Sequence, residues 1–120
     1  MDPIEVDFEF PRGNTFAFSF QLVTADKKPI HFEPDEGEIY FTVKTAYRKN
    51  DYVIQKKYSD GDIEYIDDGT YCVILKPDDT NEKVFGTYGY DVTIKTGDLV
   101  RTCIIGQLEL TKNFTHKDNE

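Results

Sequence analysis

Residues 86–110 constrain the fold most. Tyr88, Tyr90, Val92 and Ile94 alternate with Gly89, Asp91, Thr93 and Lys95. After Thr96-Gly97-Asp98 the alternation resumes through Val100, Thr102, Ile104, Gly106, Leu108 and Leu110. Successive side chains of a strand point to opposite faces, so this pattern predicts a long hairpin with one face buried and one wet. A two-residue loop at Gly97-Asp98 would pair Lys95 with Val100 and Val92 with Cys103, splitting the apolar residues between faces. A three-residue loop keeps them on one face, and Gly97 supplies the positive φ its bulge needs. The three-residue loop is therefore the expectation. Gly106 falls beside the tyrosines, where a missing side chain leaves room for a ring.

The same period recurs along the chain. Ile4, Val6, Phe8 and Phe10 alternate with Glu5, Asp7 and Glu9, giving a first strand with an acidic outer face. Phe16, Phe18, Phe20 and Leu22 give a second, read as core rather than as a stacking platform. Between 24 and 37 the chain is irregular, with a tight turn at Asp26-Lys27-Lys28-Pro29 and a short segment in which Ile30 and Phe32 tuck against the core. Ile39, Phe41 and Val43 face inward on a third strand. Residues 52–58, with Lys56 and Lys57, read as a polar edge strand. Ile63 and Tyr65 form a short strand, and Tyr71, Val73 and Leu75 another. Asp79 and Glu82 resemble a capping box, which predicts one helical turn near 78–84.

About eight strands with regular turn signals, and no helix long enough for a crossover, predict an all-β, immunoglobulin-like antiparallel sandwich over residues 1–111, with a polar tail at 112–120. The length of 120 residues suits one domain. The expected core is Phe16, Phe18, Phe20, Ile39, Phe41, Val43, Tyr71, Val73, Leu75, Tyr88, Tyr90, Val92, Ile104 and Leu108.

The net charge of −9 argues against nucleic acid or an anionic membrane as partner, because both repel it. No apolar run approaches the ~20 residues of a membrane span. Residues 1–7 are acidic and lack an apolar h-region, so no classical signal peptide is expected. Cys72 and Cys103 are expected as free thiols, with a disulfide as the alternative if their strands are neighbours. The sequon at Asn113 carries no meaning without secretion.

Chemistry-bearing patterns are weak. The acidic turns (Asp60 and Asp62, Asp67 and Asp68, Asp78 and Asp79) lack the spacing of a calcium loop, and Asp favours turns for its own hydrogen-bonding reasons. His31 stands alone, without partners at metal-ligand spacing. Neither Ser19 nor Ser59 has a nucleophile-elbow context, and no phosphate-cradling glycine loop exists. The expectation is a non-enzyme without metal or cofactor, whose melting temperature ignores EDTA and millimolar calcium.

Asp67-Asp68-Gly69-Thr70-Tyr71-Cys72 resembles the immunoglobulin tyrosine corner, with the cysteine directly after the tyrosine and so on the opposite face. A wider resemblance spans residues 8–110. Phe8-x-Phe-Pro-Arg-Gly-Asn-Thr-Phe-x-Phe-x-Phe20, Ile39-Tyr-Phe-Thr-Val-Lys, Asp68-Gly-Thr-Tyr71, Pro77-Asp-Asp-Thr and Gly86-Thr-Tyr-Gly-Tyr-Asp-Val are similar to small phage β-sandwich proteins, in particular the N-terminal immunoglobulin-like domain of baseplate upper proteins. That resemblance implies a structural protein of a phage or prophage tail or baseplate, found in the virion or in host cytoplasm during assembly. Its partners would be proteins, itself included. Glu5 and Asp7 on one edge and Lys56 and Lys57 on another are the candidate interface, complementary in charge and able to close a ring. The alternative is a module binding carbohydrate or protein on exposed tyrosines, with Tyr40, Tyr47, Tyr52 and Tyr58 as candidates.

Overall fold

The computed structural model describes residues 3–24, 26–44, 53–80, 83 and 86–112. The elements in order are β1 (Ile4–Glu5), β2 (Phe8–Pro11), β3 (Phe16–Gln21), β4 (Glu38–Lys44), β5 (Ile54–Lys57), a 3-10 turn (Tyr58–Asp60), β6 (Ile63–Asp67), β7 (Thr70–Leu75), α1 (Pro77–Thr80), β8 (Gly86–Thr96) and β9 (Leu99–Thr111). They form two sheets. One has the order β1-β9-β8-β4-β5, with β2 also on β9, and the other β3-β7-β6. The chain passes between the sheets after β2, β3, β5 and β7, so both sheets are built from strands distant in sequence. This is the immunoglobulin-like arrangement of an all-β sandwich. The helical turn expected at 78–84 is α1, starting one residue earlier. The tail expected at 112–120 lies, from 113 on, outside the described residues.

The core is the set of inward residues from both sheets. Ile39, Phe41, Val43, Tyr71, Val73, Leu75, Val92 and Leu108 are at most 1% exposed. Phe10, Leu22, Phe32, Ile54, Tyr58, Ile63, Ile94 and Leu110 join them, beyond the expected set. Phe16 and Phe18 depart from expectation and are only partly buried, because β3 is the outermost strand of its sheet. Their rings close the seam between sheets instead. Phe16 stacks on Phe10 at 4.5 Å, and Phe8 lies 5.0 Å from both Phe16 and Phe18.

The β8–β9 hairpin corrects the expected loop. Thr96 pairs with Leu99 and Lys95 with Val100, so the loop is the two residues Gly97-Asp98. The register then shifts. Thr93 pairs with Thr102 but Val92 pairs with Ile104, which leaves Cys103 as an extra residue. This bulge reverses parity halfway along β9. Val100 stays on the wet face, 62% exposed, while Ile104, Leu108 and Leu110 return to the core. Sequence alternation counted without a bulge could not hold both halves in one register.

The first strand is interrupted and runs parallel to β9, against the expectation of one continuous antiparallel strand. Ile4 pairs with Ile104 and Phe8 with Leu108. Between them the Val6 N–H donates to the Ile105 carbonyl at 2.9 Å, and an Asp7 carboxylate oxygen accepts from the Gln107 N–H at 2.9 Å. The side chain takes the place of a backbone carbonyl across the gap. Gly106 makes room for this kink. A Cβ there would collide with the Val6 carbonyl, so the glycine accommodates a backbone and not the tyrosine ring expected.

Two other motifs have different roles from those expected. Asp68 and Gly69 have φ of 52° and 77°, and Asp67 pairs with Thr70. This two-residue turn with positive φ at both positions is a type I′ hairpin within the smaller sheet, not a corner between sheets. Tyr71 is buried there, its hydroxyl donating to the Ile30 carbonyl at 3.0 Å. In α1, Asp79 is the third helical residue rather than the N-cap. Its carboxylate accepts from the Lys76 N–H at 2.7 Å, with Pro77 at the first helical position, where its missing N–H costs nothing.

Candidate functional site

Register arranges the outer face of the larger sheet in rows. Gln55, Thr42, Asp91, Ile105 and Glu5 form one row across five strands. Lys44, Gly89 and Gln107 form the next, and Thr87, Glu109 and Glu9 the one after. Gly89 leaves the middle of the second row without a side chain. The result is a trough of about 610 Å³, walled by Thr42, Lys44, Thr87, Ile105 and Gln107, with Glu5 at its rim and Asp91 at its centre. Tyr88, Tyr90 and Gly106 have inward parity and contribute backbone to its floor.

Asp91 is half-buried, on a strand flanked on both sides, and burial raises its pKa above the usual carboxylate range. The Thr93 hydroxyl and the Lys44 charge oppose that shift. Thr93 Oγ1 donates to Asp91 Oδ1 at 3.0 Å and lies 3.0 Å from Thr102 Oγ1. A hydroxyl has one proton, so Thr102 must donate to Thr93. The chain Thr102–Thr93–Asp91 fixes one carboxylate oxygen. Among the described residues no group bonds Oδ2, which leaves an acceptor open in a trough that also presents hydroxyl, amide and ammonium groups, the Ile105 side chain and the Glu5 carboxylate.

The expected interface residues do not form one patch. Glu5 is exposed at the trough rim. Asp7 is engaged by the Gln107 N–H. Lys56 pairs with Phe41 in register and so has inward parity, and its ammonium group reaches Asp79 Oδ1 at 2.9 Å. Lys57 has outward parity and lies 6.0 Å over the Tyr40 ring. β1 and β5 are the two edges of one sheet, as the edge reading required, but Asp7 and Lys56 are used within the chain.

Of the tyrosines, Tyr40 is half-buried beneath Lys57 on the outer face. Tyr58 corrects the expectation of an exposed ring. It is 6% exposed and its hydroxyl donates to the Phe32 carbonyl at 2.9 Å. Pairing of Ile54 with Val43 turns the even-numbered residues of this segment inward, and Tyr58 follows them at the start of the 3-10 turn, a parity that the adjacent Val53 and Ile54 left open in the sequence. Tyr47 and Tyr52 lie outside the described residues. Cys72 and Cys103 are free thiols on different sheets. Among the described residues no three of His, Cys, Asp and Glu are grouped to hold a metal ion, and no helix is long and apolar enough to cross a membrane.

Asp91 and Gly89 were missed as site residues. The available signal was a lone carboxylate in the middle of a long strand, between Gly89 and Thr93. No protein-family model matches the chain, and no curated protein matches it either.

Proposed function

We propose that this chain is a non-enzymatic assembly protein of a phage or prophage particle, belonging to the tail or baseplate, and that it docks another protein on the outer face of the larger sheet. The observation that carries the docking reading is the trough centred on Asp91. A half-buried carboxylate with an open acceptor opposes stability, and proteins retain such groups where a partner completes them. Glu5, Glu9 and Glu109 make the neighbouring rim acidic, so the fitting partner presents basic or hydrogen-bond-donating groups. Placement in a virion rests on the phage resemblance of the motifs over residues 8–110. Because Asp7 and Lys56 are engaged internally, the ring of complementary edges is not the version proposed.

The test is the composition of particles banded by density from the strain that encodes the chain. Mass spectrometry should find its peptides in the particle fraction of the wild type, and a Gly89→Arg variant, which fills the trough, should be depleted there while remaining folded in the lysate. Abundant soluble protein with none in wild-type particles overturns the virion reading. Equal incorporation of the variant overturns the trough.

A further inference from the structure

A sandwich that does not close into a barrel has four sheet edges, and a row of unpaired N–H and C=O groups will pair with an extended strand unless something prevents it. Three edges here carry a preventing device. The β1–β2 edge is interrupted at Val6–Asp7 and bears Glu5 and Glu9. β5 is short and bears Lys56 and Lys57. β6 is bulged at Ile66 and bears Glu64 and Asp67. The fourth edge, β3, reads Phe-Ala-Phe-Ser-Phe-Gln, with no charge, no proline and an unbroken register against β7.

The direction of its free groups follows from one bond. The Leu22 N–H donates to the Gly69 carbonyl at 2.8 Å and so extends the β3–β7 ladder. Hydrogen-bonded positions recur at every second residue of an antiparallel ladder. Phe16, Phe18 and Phe20 therefore turn their backbone groups toward β7, and Ala17, Ser19 and Gln21 turn theirs away. Val23 continues the outward set, since its neighbours Leu22 and Thr24 bond Ile30 and Lys28 on the β7 side. All four outward residues have exposed side chains. Among the described residues none bonds the backbone N–H or C=O of Ala17, Ser19 or Gln21.

We propose that this edge is a dimer interface, formed by antiparallel pairing of β3 with β3 of a second copy. A two-fold axis at Phe20 sets Ala17 of one copy against Val23 of the other and Ser19 against Gln21, using the whole outward set. Two three-stranded sheets become one of six strands. A second copy is the occupant because the edge matches itself. On a chain of net charge −9, β3 is the one edge of the four whose own strand sets no like charges opposite each other. Ala17 and Ser19 are small and let a second strand approach. The inference deepens the assembly reading by naming one partner, and it does not use the trough, so the two are tested apart.

Light scattering of the full chain over a range of concentration and salt reads the interface. The mass should rise toward twice that of the chain, and the dimer should tighten as salt screens the repulsion between acidic copies. Ser19→Lys places two ammonium groups close together across the axis and should weaken the dimer about tenfold or more, with an unchanged circular dichroism spectrum. Ser19→Glu should do the same, and mixing the two variants should restore the dimer mass. If Ser19→Lys fails to fold, Gln21→Lys with Gln21→Glu carries the same test, since the two Gln21 positions are diagonal neighbours across the axis as the two Ser19 positions are. A monomer at every salt and concentration overturns the proposal, as does a dimer unaffected by the lysine variants or one that high salt dissociates. A wild-type monomer that still enters particles would leave the assembly reading standing.

Discussion

The Tyr90 hydroxyl donates to the Val6 carbonyl oxygen at 2.6 Å, in the space that a side chain at position 106 would fill. One hydrogen bond thus ties the kink of the edge strand to the centre of β8. Gly106→Ala should cost about 1–3 kcal/mol, because the added carbon meets backbone that cannot rotate away. Tyr90→Phe should cost about 1 kcal/mol, the worth of one hydrogen bond. Urea denaturation measures both, and an alanine variant as stable as wild type would show that the strand is not seated there.

The two sheets do not share their phenylalanines equally. Phe41 is 0% exposed, and Phe18 sits at the open seam. Phe41→Ala should cost about 3–5 kcal/mol and Phe18→Ala less, about 2–3 kcal/mol. Against a total stability of about 5–15 kcal/mol the first variant should melt well below the second. Thermal melts in the reverse order would place the core elsewhere.

Asp79 joins two elements, since it caps α1 at Lys76 and pairs with Lys56 of β5. Asp79→Ala should cost about 2–3 kcal/mol, combining a lost cap with a partly buried ammonium group left unpaired. Lys57→Ala, at the residue next to Lys56, should stay within about 0.5 kcal/mol. Equal effects for the two would mean that the Lys56–Asp79 pair contributes nothing.

Burial pushes both Tyr71 and Tyr90 up to about 12, with Asp7 adding to the shift at Tyr90. Their neutral forms are favoured by folding. Their contribution is therefore fully present below the unfolded value of about 10 and is lost as pH rises from there through about 12. Stability should fall over that window, and the 295 nm absorbance of these two rings should appear only as the chain unfolds. Free ionisation of all tyrosines near pH 10 in the folded protein would contradict their burial.

Asp91 has the opposite stability sign from a salt-bridged carboxylate. Its raised pKa means that folding disfavours the charge, so its cost is present at neutral pH and vanishes below about pH 4. Asp91→Asn should raise the melting temperature at pH 7, and the gain should shrink as pH falls. A destabilised Asn variant at pH 7 would show that the carboxylate is structural.

Alternation determined the fold class and most of the core, and the polarity of Lys56 and Lys57 the edge position of β5. The period of two is local, and it records which face of each strand is wet before any partner strand is known. Ile39, Phe41, Val43, Tyr71, Val73, Leu75 and Val92 were legible for that reason. What alternation cannot record is a break in its own count. The bulge at Cys103 changes parity at a point set by β8, the interruption at Val6–Asp7 falls where the Gly106 gap admits it, and the inward face of Tyr58 follows from the pairing of Ile54 with Val43. The trough and the bare β3 edge belong to the same class. Residues distant in sequence, such as Glu5, Thr42, Asp91 and Ile105, share a row only after register is set, and an edge exists only once every other strand has found its partner.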